Sequence, residues 1–164
     1  VVANATYDNG VIKVGTGDSG KKLWQPYPEW QGDFARAYLY MATCYQDYAW
    51  VKEGLNSLET GDYPTLQKWA SDLYIKWAKQ DPVSDLEAKR NNIVYSIQGN
   101  RNPFIDFPNL MEYIWGDSIS YEFDPATTVV TKQVVPENSM MCIYLASYKA
   151  TDGGCTIETR LYPK

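Results

Sequence analysis

The sequence predicts an α+β protein in which about four helices are followed by a small antiparallel β-rich tail. Between residues 33 and 98, apolar residues recur at spacings of three and four, the period of a helix that buries one face. After Gly116 the chain changes to short β-branched and aromatic runs separated by Pro or Gly, which is typical of strands and turns. We therefore expect an extended or hairpin lead-in over residues 1–31, a helical region over 32–117 and a β-rich extension over 118–164.

The lead-in is rich in turn-forming residues, including Asn9-Gly10, so it reads as a hairpin or extended segment and not as a helix. The first helix is predicted over residues 33–52, because Ala35, Leu39 and Ala42 follow helical spacing and an acidic residue lies near its start. The second helix is predicted over residues 63–80. Its apolar positions form one stripe, which we expect to be buried: Leu66, Trp69, Ala70, Leu73 and Trp77.

The third helix is predicted over residues 84–98, because Ser84 and Glu87 have the spacing of a capping box and Gly99 provides a C-terminal stop. We expect this helix to bury Leu86, Ile93, Val94 and Ile97. An ordered loop should follow over residues 100–107. A fourth helix, over residues 108–116, should then open at Pro108.

The bulk composition restricts the kind of partner. The formal net charge of −5 and the isoelectric point near 4.7 argue against a surface that attracts nucleic acid everywhere, although a local basic groove is compatible with them. The chain has no apolar run of about 18 residues, so we expect no membrane span. The 14 Tyr, 6 Trp and 4 Phe suit either a rich core or a surface on which rings stack. The sequence contains no histidine, which is the usual general base near neutral pH.

Three cysteines are present. Cys142 and Cys155 lie in predicted strands joined by a turn, so the sequence is compatible with a disulfide between them and equally with two buried thiols. Cys44 lies in the first predicted helix, where we expect a small core residue.

A series of motifs in the helical region resembles the endonuclease I family. The stretch Gly32-Asp33-Phe34-Ala35-Arg36, followed by Tyr40-Met41-Ala42-Thr43, is similar to the family's Gly-Asp-x-Ala-Arg-x-x-x-Tyr-Met-Ala-Thr helix. Further matches follow in the same order: Trp77, Asp81-Pro82-Val83, Glu87, Arg90-Asn91 and the block from Gln98 to Asp106. The resemblance covers roughly residues 24–116.

The resemblance implies a secreted or periplasmic bacterial nuclease that cuts DNA, and often RNA, without sequence preference. In this family a histidine deprotonates water and one Mg²⁺-type ion neutralises the scissile phosphate. The family carries these groups in a segment N-terminal to the motifs found here. We therefore expect this chain to be the C-terminal portion of such a nuclease, to bind no metal by itself and to be inactive alone.

Two departures from the family pattern keep other interpretations open. Ala78 and Phe107 stand where the family often has histidine. The chain is therefore also compatible with a diverged, inactive branch of the family. The main alternative is a non-catalytic binding or structural module, in which Trp24, Trp30 and Trp50 stack on nucleic acid or a polysaccharide.

Six polar residues of the family motifs are predicted to bind nucleic acid: Arg36, Arg90, Asn91, Asn100, Arg101 and Asn102. The guanidinium groups suit phosphate oxygens, and the amides suit phosphate or backbone. The competing interpretation is that Arg36 or Arg90 pairs with Asp33, Asp85 or Glu87, and that the asparagines cap the helix end and hold the loop. Asp81, Glu87 and Asp106 resemble a set of acids, but helix capping and loop bonding explain them, so we predict no catalytic residue and no metal ligand among them.

Overall fold

The computed structural model describes residues 1–18, 20–50, 56–59 and 63–125, and the backbone of residues 141–151 and 154–163. The chain begins with an antiparallel sheet of three strands, β1 (Asn4–Asp8), β2 (Ile12–Thr16) and β3 (Lys22–Pro26), in the order β1-β2-β3. Asn9 fixes the first turn, since its Oδ1 accepts hydrogen bonds from the backbone N–H groups of Val11 and Ile12. Gly10, with φ of 78°, supplies the left-handed residue of that turn.

This sheet makes the predicted fold class wrong, because a three-stranded sheet precedes the helices, whereas the sequence analysis expected only a hairpin or extended lead-in there and placed the antiparallel sheet after the helices. The physical reason is the exposure of the first strand. Every residue of β1 is exposed, so the strand shows no alternation of apolar and polar residues. Its pairing with β2 depends on backbone hydrogen bonds and register, which composition does not reveal.

In the described residues five helices follow: α1 (Pro28–Cys44), α2 (Lys68–Gln80), α3 (Asp85–Gln98), α4 (Pro103–Asp106) and α5 (Leu110–Trp115). The first begins five residues before its predicted start, because Pro28 occupies its first turn, and it ends at Cys44. The predicted helix over 108–116 corresponds to α5, which begins two residues later, whereas α4 lies in the segment 100–107 that was predicted to be a loop. Asn102 caps α4 by accepting from the backbone N–H of Phe104 at 3.0 Å.

The core lies between α1, α2, α4 and α5. The predicted burial of Ala35, Leu39 and Ala42 is confirmed, since each is at most 1% exposed. The predicted stripe of α2 is partly wrong, because Trp69 is 43% exposed. Large side chains from the other helices and from the segment after α5 complete the core: Phe104, Phe107, Leu110, Ile114, Trp115 and Phe123.

Helix α3 contradicts the predicted burial of its apolar residues. Leu86, Ile93 and Ile97 are 59%, 61% and 80% exposed. The helix instead turns Glu87 and Asn91 toward the protein, at 1% and 4% exposed. The serine cap predicted for this helix is confirmed, because Ser84 Oγ accepts from the backbone N–H of Glu87 at 3.1 Å.

Two long strands, β4 (Met141–Thr151) and β5 (Gly154–Pro163), form a second antiparallel ladder. In its register Cys142 lies opposite Tyr162 and Cys155 lies opposite Ala150. The two cysteines are therefore at opposite ends of the ladder, which does not suit a disulfide between them. Cys44 is exposed, so its predicted place in the core is wrong. Within the described residues, no helix has the length and apolarity needed to cross a membrane.

Candidate nucleic-acid interface

Arg36 is the centre of a buried polar network that joins α1 to α3. Its side chain is fully buried, and its guanidinium meets the Glu87 carboxylate in a bidentate pair. Nε donates to Oε1 at 2.7 Å and Nη2 donates to Oε2 at 2.6 Å. Nη1 donates to the backbone oxygen of Asp81 at 2.9 Å. Arg36 is therefore directed into the protein, where its donors meet internal acceptors.

The same network joins α1 to the end of α2. The backbone N–H of Gly32 donates to the Asp81 carboxylate at 2.8 Å. A Cβ atom at Gly32 would overlap the backbone oxygen of Asp81 and crowd the guanidinium of Arg36. The glycine is thus required by the close approach of the two helices.

Burial raises the pKa of Glu87, and the neighbouring Arg36 guanidinium opposes that rise. Two charges removed from water are stable only if each satisfies the other. Here both carboxylate oxygens accept from the same guanidinium, and the pair connects residues 51 positions apart in the sequence. The pair therefore fixes α3 on α1.

A second network orders the loop between α3 and α4. Two hydrogen bonds join Asn91 and Asn102. The backbone N–H of Asn102 donates to Asn91 Oδ1 at 2.9 Å, and Asn91 Nδ2 donates to the backbone oxygen of Asn102 at 3.3 Å. The side-chain amide Nδ2 of Asn102 also donates to the backbone oxygen of Arg36 at 3.0 Å. These amides therefore hold the loop against α1.

Arg101 belongs to the same loop network. Its Nε and Nη2 donate to the two oxygens of Asp106, each at 2.7 Å, and Nη1 donates to Asn92 Oδ1 at 2.6 Å. The side chains of Arg101 and Asp106 are only 5% and 6% exposed. The internal bonds of Arg36, Asn91 and Asn102 agree with the competing structural interpretation, whereas Arg101 pairs with Asp106, a partner that this interpretation did not name. Contact of these four residues with nucleic acid stays a prediction.

Arg90 and Asn100 are the two predicted residues that face solvent. The Arg90 side chain is 53% exposed and its Nη1 lies 3.2 Å from Asp33 Oδ2. Asn100 is exposed, and its amide donates to the Tyr40 hydroxyl at 2.7 Å. Asp33 and Tyr40 are seven residues apart on α1, so they lie on one side of that helix, roughly 10 Å apart along its axis. Arg90 and Asn100 therefore border the same side of α1.

Two contributors to this surface were missed by the sequence analysis. Tyr40 matched the family motif but was given no role, and Asp33 was considered only as a pairing partner. Burial raises the pKa of Tyr40 to about 12, so its hydroxyl stays a neutral donor and acceptor at ordinary pH. The helical spacing of residues 33 and 40 was the available signal.

The residues that the structure describes do not fit the metal ion that the family implies. No group of three or more Cys, Asp or Glu side chains in that part of the chain is arranged to hold one. The three suspected acids are already engaged: Asp81 by the Gly32 amide, Glu87 by Arg36 and Asp106 by Arg101. No catalytic step through a metal follows from these side chains.

Comparisons with known proteins find relatives that are named as ribonucleases or as an endonuclease. The chain is 38% identical over 121 residues to the extracellular ribonuclease of Bacillus subtilis (strain 168), covering 68% of this chain and 40% of that protein. It is 41% identical over 99 residues to the extracellular ribonuclease of Bacillus amyloliquefaciens, covering 56% of this chain and 32% of that protein. It is also 28% identical over 102 residues to Endonuclease-1 of Buchnera aphidicola subsp. Baizongia pistaciae (strain Bp), covering 62% and 34%.

The family model described as Endonuclease I matches residues 2–109, which is more than half of the 164 residues. The chain belongs to the endonuclease I family, as the motif resemblance implied. It spans two fifths or less of the length of these curated relatives. No solved structure gives a significant match to it.

Proposed function

We propose that the protein containing this chain is a nuclease that hydrolyses phosphodiester bonds in DNA or RNA without sequence preference. Membership of the endonuclease I family is the observation that carries this proposal. Two relatives are named as extracellular ribonucleases, which also supports a secreted or periplasmic location. Dependence on Mg²⁺ is proposed on the family alone, since the described side chains offer no fitting site.

Within that nuclease, the role proposed for this chain is a frame that carries part of the nucleic-acid surface. The buried pair of Arg36 and Glu87 and the bonded loop around Asn102 fix the relative positions of α1, α3 and α4. On this frame Arg90 and Asn100 are exposed beside the same helix, where a guanidinium and an amide suit the oxygens of a phosphate backbone. Such contacts position a strand without reading its sequence.

The chain's own residues do not supply the usual means of activating water. Its 164 residues include no histidine, and among the residues that the structure describes the buried acids, Glu87 and Asp106, are paired with arginines. A hydroxyl or thiol nucleophile would also need a nearby base. We therefore propose that the chain alone binds nucleic acid without cutting it, and that residues outside these 164 supply the base and metal ligands.

The test is a plasmid-nicking assay on two proteins, the product of the complete reading frame and this chain alone. With Mg²⁺ the complete protein should relax supercoiled DNA and degrade single-stranded RNA, and EDTA should stop both reactions. The isolated chain should give no cleavage above a buffer control. If the complete protein fails to cut DNA or RNA across a series of divalent ions, the nuclease proposal is wrong. Metal-dependent turnover by the purified chain alone would overturn the proposal that residues outside these 164 supply the base and the metal ligands.

A further inference from the structure

A cleft of about 460 Å³ opens between β3, α1 and α2, away from the polar networks around Arg36 and Arg101. Its volume falls in the usual range for small-molecule sites, about 300–1,000 Å³. The walls are dominated by aromatic rings, which come from the strand, from both helices and from the segment after α1: Trp24, Tyr38, Trp50, Trp69, Tyr74 and Trp77. Three residues of the family motifs, Met41, Ala42 and Trp77, line this cleft, and its exposed aromatic rim lies outside those motifs.

The rings are arranged as a buried floor with an exposed rim. Tyr74 and Trp77 are 8% and 5% exposed, and their ring centroids are 6.1 Å apart. On the rim, Trp24 and Trp69 are 37% and 43% exposed. Large aromatic side chains are costly to leave in water, and exposed ones beside a cavity offer flat faces to a ring-shaped ligand.

The charge of the cleft indicates what kind of ligand would suit it. Lys22 lines the cleft and is exposed, and no described lining residue carries a carboxylate. In a chain of net charge −5, this local positive charge favours an anionic ligand over a neutral one.

We propose that this cleft binds a nucleobase of a single-stranded nucleic acid, with the base against Trp24 and Trp69 and an adjoining phosphate near Lys22. This inference rests on the proposed nuclease function, and it adds a base-stacking site separate from the surface beside Arg90. Stacking on aromatic side chains tolerates any base, in keeping with cleavage that ignores sequence.

The test measures binding of a fluorescein-labelled oligothymidylate of roughly ten nucleotides to the full chain in EDTA, by fluorescence anisotropy. Trp24→Ala and Trp69→Ala should each weaken binding by about tenfold, since one stacked base is worth about 1–3 kcal/mol. Trp69→Phe should retain most of the affinity. Trp30→Ala is the matched control, because Trp30 is also 37% exposed but does not line the cleft. Far-ultraviolet circular dichroism checks that each variant is folded.

An abasic strand of the same length separates base binding from phosphate binding. The proposal expects wild-type protein to bind it about as weakly as Trp69→Ala binds the oligothymidylate. Equal affinity for both strands, or equal losses in Trp30→Ala and Trp69→Ala, would overturn the proposal. So would binding of a neutral oligosaccharide that depends on Trp69 while oligothymidylate binding does not.

The two proposals fail separately. If the complete protein cuts DNA but the tryptophan changes leave affinity intact, only the cleft assignment is wrong. If the strand binds through Trp24 and Trp69 but the complete protein never cuts, the nuclease proposal fails and the cleft stands.

Discussion

Replacing Arg36 by Met tests whether the buried ion pair holds the frame. Methionine has a similar length and fills much of the same space, but it cannot donate to Glu87. The carboxylate would then be 1% exposed with its bidentate partner removed. Removing one partner of a buried pair costs about 3–5 kcal/mol, because the remaining charge is uncompensated. We expect Arg36→Met to lower the free energy of unfolding by this amount.

The double variant Arg36→Met with Glu87→Met measures the interaction energy between the two side chains, apart from the effect of each substitution alone. When both charges are replaced by apolar groups of similar volume, the change is often close to neutral. The double variant should therefore lose less than the sum of the single changes, with a coupling energy of at least about 1.5 kcal/mol. Urea denaturation followed by circular dichroism gives all four free energies of the cycle.

Arg90→Met is the control for this cycle. Arg90 approaches Asp33, as Arg36 does, but its side chain is 53% exposed, so its loss should cost no more than about 1 kcal/mol. The reasoning is refuted if Arg36→Met costs less than Arg90→Met, or if the two single changes of the Arg36 and Glu87 cycle are additive.

Two further outcomes are expected. Arg90→Ala should lower the slope of log affinity against log salt by about one, because one phosphate contact is lost. Lys79→Ala removes a similarly exposed cation, which pairs with Glu112, and should leave the slope unchanged. Equal slopes for the two variants in a DNA-binding titration would contradict this prediction. Burial raises the pKa of Tyr38 to about 12, above its value in the unfolded chain, so stability should be full below about pH 10 and fall as the pH rises toward 12. Urea midpoints should decline less steeply over that range in Tyr38→Phe, and an identical decline would contradict the assignment.

Helix α3 shows which features could be predicted from the sequence and which could not: its cap could, and its buried face could not. Its serine cap was predictable because Ser84 and Glu87 are three residues apart, and local geometry determines the bond. The direction in which the helix faces was not predictable in that way. Ile93 and Ile97 have the spacing of a buried face, but α1 presents Arg36 to α3, and a buried guanidinium requires the carboxylate opposite it. That requirement comes from a residue 51 positions away, which a periodicity within one helix cannot reveal.

In the candidate site, too, long-range contacts could not be predicted from the sequence. The sequence left open that Asn102 holds the loop, but its role as the N-cap of α4 was missed, because residues 100–107 were expected to contain no helix. The bond from Asn100 to Tyr40 joins residues 60 positions apart, and no spacing rule indicates it. The aromatic cleft was also hidden, since its rings come from four separate parts of the chain. Composition predicted many rings, and only the packing of β3 and α2 on α1 separates those of the core from those of the rim.

Among the residues of the family motifs, side-chain exposure distinguishes those that stabilise the fold from those that can contact nucleic acid. A side chain that meets a phosphate must have donors that water or the ligand can reach. Arg36 and Arg101 are 0% and 5% exposed and each is bidentate to a carboxylate, so their strongest effect should be on stability. Arg90 is half exposed and pairs at 3.2 Å, so its strongest effect should be on the salt dependence of binding. The same residue type in one family block thus serves two physical purposes, and unfolding and binding measurements on one set of variants distinguish them.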